Sequence, residues 1–192
     1  MSHFFAYLAR MKLIQRWGLM RNTEQENVQE HCLQVAIIGH ALATIKNRLF
    51  GGDVNPDQVV TLAVFHEIGE VITGDLATPI KYFNPQIKKA YHDIDKVAKE
   101  RLFRMIPEDL RQDYQEIVFT EQADATHKVI VKAADKIAAY LKCVEELKTG
   151  NQEFSQAAKT IKEDIEKFDL PEVHYFMGTF VPSFSLTLDE LN

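Results

Sequence analysis

Cysteine is scarce in this chain. Its two thiols, Cys32 and Cys143, lie far apart and in no CxxC spacing, which excludes a disulfide framework and a zinc-thiolate site and predicts two small buried side chains. Long apolar runs are missing too. The longest aliphatic stretch, around Val59 to Phe65, is broken by Thr61 and falls far short of the roughly 20 residues of a membrane helix. No secretory leader is visible, because Arg10, Lys12 and Arg16 interrupt the apolar N-terminal residues. The expected location is cytoplasmic. Basic charge is in deficit as well: 22 Lys and Arg stand against 28 Asp and Glu, a net charge of −6. Such a balance disfavours nucleic-acid polymers and anionic membranes, yet leaves room for a local basic pocket that takes one phosphate.

There is no internal repeat, low-complexity tract or Pro/Gly/Ser-rich linker in the 192 residues, so one domain over 1–192 is expected. Alternation of period two is also missing, and the helical period appears instead. It predicts a first amphipathic helix over residues 3–16. Thr23 with Glu26 has the pattern of a capping box opening a second helix, which carries Val28, Cys32, Val35, Ala36, Gly39, Leu42 and Ala43 at helical spacing and stops at Gly51-Gly52. Asn55-Pro56 starts a third, reaching about Ile72. An irregular loop over Thr73–Pro85 is followed by helices over Gln86–Met105, Glu108–Phe119, Thr126–Lys148, Gln152–Phe168 and Pro171–Phe180. The fold class is all-α, a compact multi-helix bundle.

Against that background, three helices carry ionisable residues among apolar neighbours. The third helix reads VVTLAVFHEIGEVI from Val59 and is apolar on nearly every side, as a core helix is. It nevertheless contains His66, Glu67 and Glu70, with Glu70 one turn beyond His66. His31 sits at the edge of the second helix's apolar stripe, and Asp135 lies inside VIVKAADKIAAYL. Burying an unpaired carboxylate costs several kcal/mol, so these groups need cations, hydrogen bonds or a metal. Two imidazoles and two carboxylates suit a divalent ion such as Mn, Fe, Co, Ni or Zn. Plainer roles stay open: His31 and His66 as satisfied core histidines, Glu70 as an ion-paired glutamate, Asp135 paired with Lys132 or Lys136. Spacing shows that all can face inward and does not make them converge.

The succession ENVQEH, FHEIGEVITGD and KAADKIAAYLKC resembles the HD-domain metal-dependent phosphohydrolases, and most closely their 5'-deoxynucleotidase branch. The likeness is carried by Arg16-Trp17, Met20-Arg21-Asn22, Glu26-Asn27-Val28, Glu30-His31, the segment VITGDLATPIKYF from Val71 to Phe83, Glu145-Glu146-Leu147 and the C-terminal FVPSFSLTLDE. The family's adjacent histidine and aspartate are here His66-Glu67, whose longer side chain carries the carboxylate further out.

The resemblance implies an HD-like bundle and metal ligation by His31, His66, Glu67 and Asp135. The ion would be a divalent cation from among Co, Mn, Cu, Ni, Fe and Zn. Glu70 would activate water or protonate the leaving oxygen, and Arg16 would orient the phosphate. Trp17, Asp75, Leu76, Ala77 and Thr78, with His31, Glu67 and Asp135, would line the substrate site. Asp75 is placed to accept from a sugar 3'-hydroxyl, while Trp17 and Leu76 leave no room for a 2'-hydroxyl. The implied reaction is hydrolysis of deoxyribonucleoside 5'-monophosphates, and the implied assembly a homodimer through the long helix or the C-terminal helices. The alternative is a nucleotide-binding or regulatory protein whose catalysis Glu67 has impaired. Hydrolysis of a diphosphate or cyclic dinucleotide is a weaker third reading.

Overall fold

The structure is a computed structural model that describes residues 1–81 and 83–191; Tyr82, within VITGDLATPIKYF, lies outside them. Among the described residues the regular structure is helical. Its longer helices are α2 (Val28–Leu49), α3 (Pro56–Phe65), α6 (Pro85–Met105) and α8 (Ala125–Lys148). Around them lie α1 (Phe4–Leu8), α4 (Glu70–Thr73), α5 (Thr78–Lys81), α7 (Arg111–Val118), α9 (Ser155–Glu166) and α10 (Pro171–Thr179). No helix among these residues is long and apolar enough to cross a membrane.

The core lies where α2 crosses α3 and α8. The stripe Val35, Ala36, Leu42 and Ala43 packs there on Val59, Leu62 and Ala63 of α3 and on Ile130, Ala134, Ile137 and Ala138 of α8. Small residues set the approach. A Cβ on Gly39 would come within 2.9 Å of Val59 Cγ1 and 3.8 Å of Ala134 Cβ, so the three helices meet at a distance that side chains elsewhere would prevent. Caps match the chemistry of each start: Asn55 before Pro56 accepts from the Asp57 and Gln58 N–H groups, and Asp124 accepts from those of Thr126 and His127. A second cluster, Phe4, Ile68, Leu102, Ile106 and Val118, fastens α1, α6 and α7 beneath the turn that follows α3.

The first helix is shorter than its periodicity implies. It ends at Leu8, a 3-10 turn covers Met11–Leu13, and Ile14 is extended. Beyond it the backbone pairs across a loop, Arg16 N–H to the Glu26 carbonyl at 2.9 Å and Val28 N–H to that of Ile14 at 3.0 Å, around a Gln15–Asn27 bridge. Those partners are non-local and invisible to periodicity. The expected Thr23–Glu26 capping box is also displaced by one turn, and Asn27 and Glu30 form it. The third helix likewise stops at Phe65 and resumes at Glu70. Inside the expected loop, Thr78–Lys81 forms a turn of helix.

Thr23 and Glu26 are free for other work because Glu146, only 1% exposed, collects the loop. Its carboxylate accepts from Thr23 N–H at 2.8 Å, Thr23 Oγ1 at 2.6 Å, Glu24 N–H at 3.2 Å and Asn151 Nδ2 at 2.8 Å, and pairs with buried Lys142. Burial alone would raise this carboxyl, but those donors hold it below the usual carboxylate range. Glu146→Ala would leave Lys142 buried and uncompensated, at a cost of about 3–5 kcal/mol. At roughly 2–4 °C per kcal/mol for a chain of this size, thermal unfolding followed by circular dichroism is expected to show a Tm lower by at least ~6 °C. A fall below ~2 °C would mean that the network contributes nothing to stability.

Candidate active site

His31 lies in the first turn of α2, fully buried, with Nε2 3.0 Å from Asp135 Oδ1 in the middle of α8. The helix crossing that builds the core therefore brings these two together. His66 occupies the C-cap of α3, and its Nδ1 lies 2.7 Å from the Ala63 carbonyl. By donating to that carbonyl the ring takes an acceptor belonging to the helical ladder, and the same Nδ1 lies 3.6 Å from the Cys32 sulfur. A side chain inserted into the ladder breaks the helix there. The following turn, 66–69, packs so tightly on α6 that a Cβ on Gly69 would sit 2.0 Å from Asp95 Oδ1.

Held this way, His66 aims Nε2 at Asp135 Oδ1, 4.0 Å away, with no hydrogen-bond partner although it is buried. One donor atom each from His31, His66 and Asp135 lies within 4.8 Å of the others. Two imidazole nitrogens and a carboxylate oxygen, with an orphaned buried nitrogen among them, fit a divalent transition ion. The Nδ1–H of His66 on a backbone carbonyl is the outer contact that fixes a ligating tautomer. Burial lowers the pKa of His31 against the opposing pull of Asp135, which favours the neutral ring that a metal requires. Asp135 is held well below the usual carboxylate range: burial acts upward, but the His31 hydrogen bond, the pull of the two imidazoles and the charge of Arg16 outweigh it.

Three of the four residues expected as ligands thus converge. Glu67 stands beside them, with Oε1 3.8 Å from His66 Nε2, and lines the adjoining cavity of about 390 Å³. Arg16, Trp17, Glu70, Asp135 and the run Asp75, Leu76, Ala77 and Thr78 line it too, so the expected catalytic and substrate residues face one space. Its size is that of a small-molecule site. His31 and His66 lie behind its wall.

Glu70 is 3% exposed, and its Oε2 has no hydrogen-bond partner. Burial, then the charges of Glu67 and Asp75, push its pKa up to about 9, against the pull of Arg16 and Lys81. Asp75 follows Gly74, whose φ of 72° suits glycine, and burial raises its carboxyl as well. Burial would lower Arg16, but Glu26, Asp135, Glu67 and Asp75 outweigh it and keep the guanidinium charged. Its Nε donates to Glu26 Oε2 at 3.0 Å. The indole of Trp17 donates to the same oxygen at 3.0 Å, and its ring leans on Phe154 at 5.3 Å between centroids.

Sequence reasoning missed Glu26, read there as half of a capping box, and the far wall of the cavity. That wall is one face of α9, where Gln156, Ala157, Thr160 and Ile161 stand beside Lys136 of α8, with Lys81 opposite. The i, i+4 spacing of Gln156 and Thr160 was the available signal, and many amphipathic helices share it.

Known proteins resemble this chain along nearly its whole length. The family model described as 5'-deoxynucleotidase YfbR-like matches residues 3–184. A 5'-deoxynucleotidase of Vibrio cholerae is 54% identical, and one of Shewanella oneidensis 52%, each alignment covering 100% of this chain and 98% of the relative. An HD-domain phosphohydrolase of Listeria innocua shares the fold with a TM-score of 0.84 at 20% identity, covering 95% of this chain and 88% of its own. A cyanophage S-2L HD phosphohydrolase, solved with dA and one catalytic Zn2+ ion, gives a TM-score of 0.65 at 18% identity over 93% of this chain and 96% of its own. With a family model spanning most of its length and relatives more than half identical from end to end, this chain belongs to the YfbR-like 5'-deoxynucleotidase family.

Proposed function

We propose that this cavity hydrolyses deoxyribonucleoside 5'-monophosphates to a deoxynucleoside and phosphate, with residues 1–192 acting as one catalytic domain. The observation that carries the reading is that Asp135, which His31 and His66 meet from behind the wall, lines one space with Arg16, Glu70, Trp17 and Asp75. The relatives named 5'-deoxynucleotidase support it, as does the phage enzyme bound to dA and zinc. His31, His66 and Asp135 would hold a divalent ion from among Co, Mn, Cu, Ni, Fe and Zn, with Glu67 alongside. When bound, such an ion polarises phosphate oxygens and lowers the pKa of water toward neutrality.

The chain's own groups divide the remaining work. Among the described residues no hydrogen bond occupies the terminal nitrogens of Arg16, so its fork is free to take two phosphate oxygens. Glu70, with a pKa near 9, keeps its proton at neutral pH and can deliver it to the leaving 5'-oxygen. Asp75 accepts from the 3'-hydroxyl, and Trp17 and Leu76 close the space that a 2'-hydroxyl would need. The two cysteines are free and buried, which suits a reducing cytoplasm.

Phosphate release from dAMP, dGMP, TMP and the matching ribonucleotides, with Mn or Co present, tests the reading. Release from the deoxynucleotides is expected, with kcat reduced by about 10²–10⁴ in Glu70→Gln. No release from any deoxynucleotide would sink it. Because Glu67 stands outside the group of three, impaired catalysis is the second reading, and it gains if only Glu67→Asp is active.

The raised Glu70 pKa also has a sign for stability. A carboxyl with a folded pKa above its unfolded value binds its proton more tightly in the fold. Its stabilising contribution is complete below about 4.5 and is lost as pH rises toward about 9. In the presence of chelator, Tm is therefore expected to fall from pH 5 to pH 9, and to fall less in Glu70→Gln. Equal slopes would rule out a protonated Glu70.

We also propose a homodimer. Its support is an apolar surface on the α1–α2 side, where Phe5, Leu33 and Ile37 are each more than half exposed; the long helix and the C-terminal helices are the other expected contacts. Light scattering after size exclusion should give twice the 22.0 kDa chain mass, and Leu33→Glu with Ile37→Glu should give one. A monomeric wild-type protein at micromolar concentration contradicts the proposal.

A further inference from the structure

Glu26 touches three parts of the site at once. Its Oε2 accepts from Arg16 Nε and from Trp17 Nε1, both at 3.0 Å. Its Oε1 lies 3.9 Å from Nδ1 of His31, a buried nitrogen with no hydrogen-bond partner of its own. The carboxylate is nearly buried and stands outside the cavity lining, behind the groups it contacts. It therefore sits where it can orient a phosphate-facing guanidinium, a wall of the sugar subsite and a metal-facing imidazole, without touching a substrate.

Trp17 needs such a partner. Its φ is 58°, in the left-handed region that bulky side chains rarely adopt. Backbone in that state persists only where surrounding contacts over-determine it. Besides the Met20 N–H, which closes the backbone turn on the Trp17 carbonyl at 2.9 Å, the contacts are the Glu26 hydrogen bond, the Phe154 ring with its apolar cluster, and Asn22 Nδ2 donating to the same carbonyl at 3.3 Å. Of these, the Glu26 bond alone fixes the rotation of the indole, because it alone engages a directional group on the ring. The Arg16 bond to the same oxygen completes the device, since a guanidinium and an indole that share one acceptor are positioned together.

We propose that Glu26 is a positioning residue that sets discrimination between deoxyribose and ribose, by holding Trp17 in its strained pose while anchoring Arg16. The inference rests on the deoxynucleotidase reading for its substrate, and on geometry alone for the pose of Trp17. Glu26→Gln keeps the size of the side chain and removes the charge that two donors share. Its kcat/KM for dAMP is expected to fall by about 10–100-fold, the usual consequence of losing an outer contact. The dAMP-to-AMP ratio of kcat/KM is expected to drop by about 10-fold or more.

Trp17→Phe should lower that ratio similarly. Adding Glu26→Gln to Trp17→Phe should then leave the ratio unchanged, because the Glu26 effect on specificity runs through the indole. A Glu26→Gln enzyme that loses activity equally toward both sugars overturns the proposal, and so does a double variant whose ratio falls by the product of the two single effects. Trp17 is the chain's one tryptophan, so its fluorescence reads the pose without any substrate. A changed emission maximum or acrylamide quenching is expected in folded Glu26→Gln, and an unchanged spectrum overturns the inference. If the wild type releases no phosphate from dAMP, the deoxynucleotidase reading has failed, and fluorescence decides the role of Glu26 separately. Glu26→Asp, which keeps the charge and shortens the reach, supplies the same readouts should Glu26→Gln not fold.

Discussion

His31 and Asp135 stand on two helices that pack together in the core, and their side chains meet at 3.0 Å. A buried imidazole facing a carboxylate inside a helix crossing is costly unless the charges and lone pairs are matched, because desolvation of even a paired ion takes several kcal/mol. Here the matching is partial. The pair satisfies one nitrogen of His31, while His31 Nδ1 and His66 Nε2 remain buried without partners. Orphaned buried polar groups cost roughly 1–3 kcal/mol each, and a ligand that satisfies His66 Nε2 relieves part of that cost. Ion binding and folding are coupled through this arrangement, since an ion that binds only the folded chain stabilises it by mass action.

The second constraint falls on the loop between Ile14 and Val28, which carries Arg16 and Trp17. A left-handed Trp17 costs on the order of 1–3 kcal/mol, and a loop without regular structure offers little to offset it. The offset is supplied from α8. Glu146 receives its donors from Thr23, Glu24 and Asn151 and pairs with Lys142. Hydrogen bonds to a charged group contribute about 1.5–3 kcal/mol apiece, so this cluster alone exceeds the strain. One end of α8 fixes the loop, and the middle of the same helix supplies Asp135. Arg16 and Asp135 are thereby placed by a single rigid element.

The parts of this design visible in the sequence are those governed by local rules. Buried acids and histidines inside apolar helical stripes, together with the family motifs, picked out Glu70, Asp135, Arg16 and the Asp75–Thr78 run, which line one cavity, and His31 and His66, which lie behind its wall beside Asp135. Cap chemistry also read correctly in kind. At Asn27 it shifted by one turn, because Thr23 and Glu26 are claimed by Glu146, Arg16 and Trp17. What could not be read were the non-local choices: the end of α1 at the paired loop, the break at His66 where a ring displaces a ladder bond, and the α9 face opposite the metal ligands. Each depends on a partner far away in sequence, and periodicity carries no information about such partners.

Charge completes the physical account of the site. Glu67, Glu70, Asp75 and Asp135 face the cavity against Arg16, Lys81 and Lys136, which looks hostile to a phosphate. Glu70, however, holds its proton at neutral pH because burial and its acidic neighbours push it up to about 9. The remaining three acids of the lining then stand against three cations, of which Arg16 is also paired with Glu26 behind the wall. A divalent ion on His31, His66 and Asp135 adds two positive charges, the number that a monoester phosphate dianion brings in negative ones. A polyphosphate chain would bring charge that no side chain lining the cavity is left to meet. The net charge of −6 does not decide what the cavity can take, because much of the excess acid lies elsewhere on the chain.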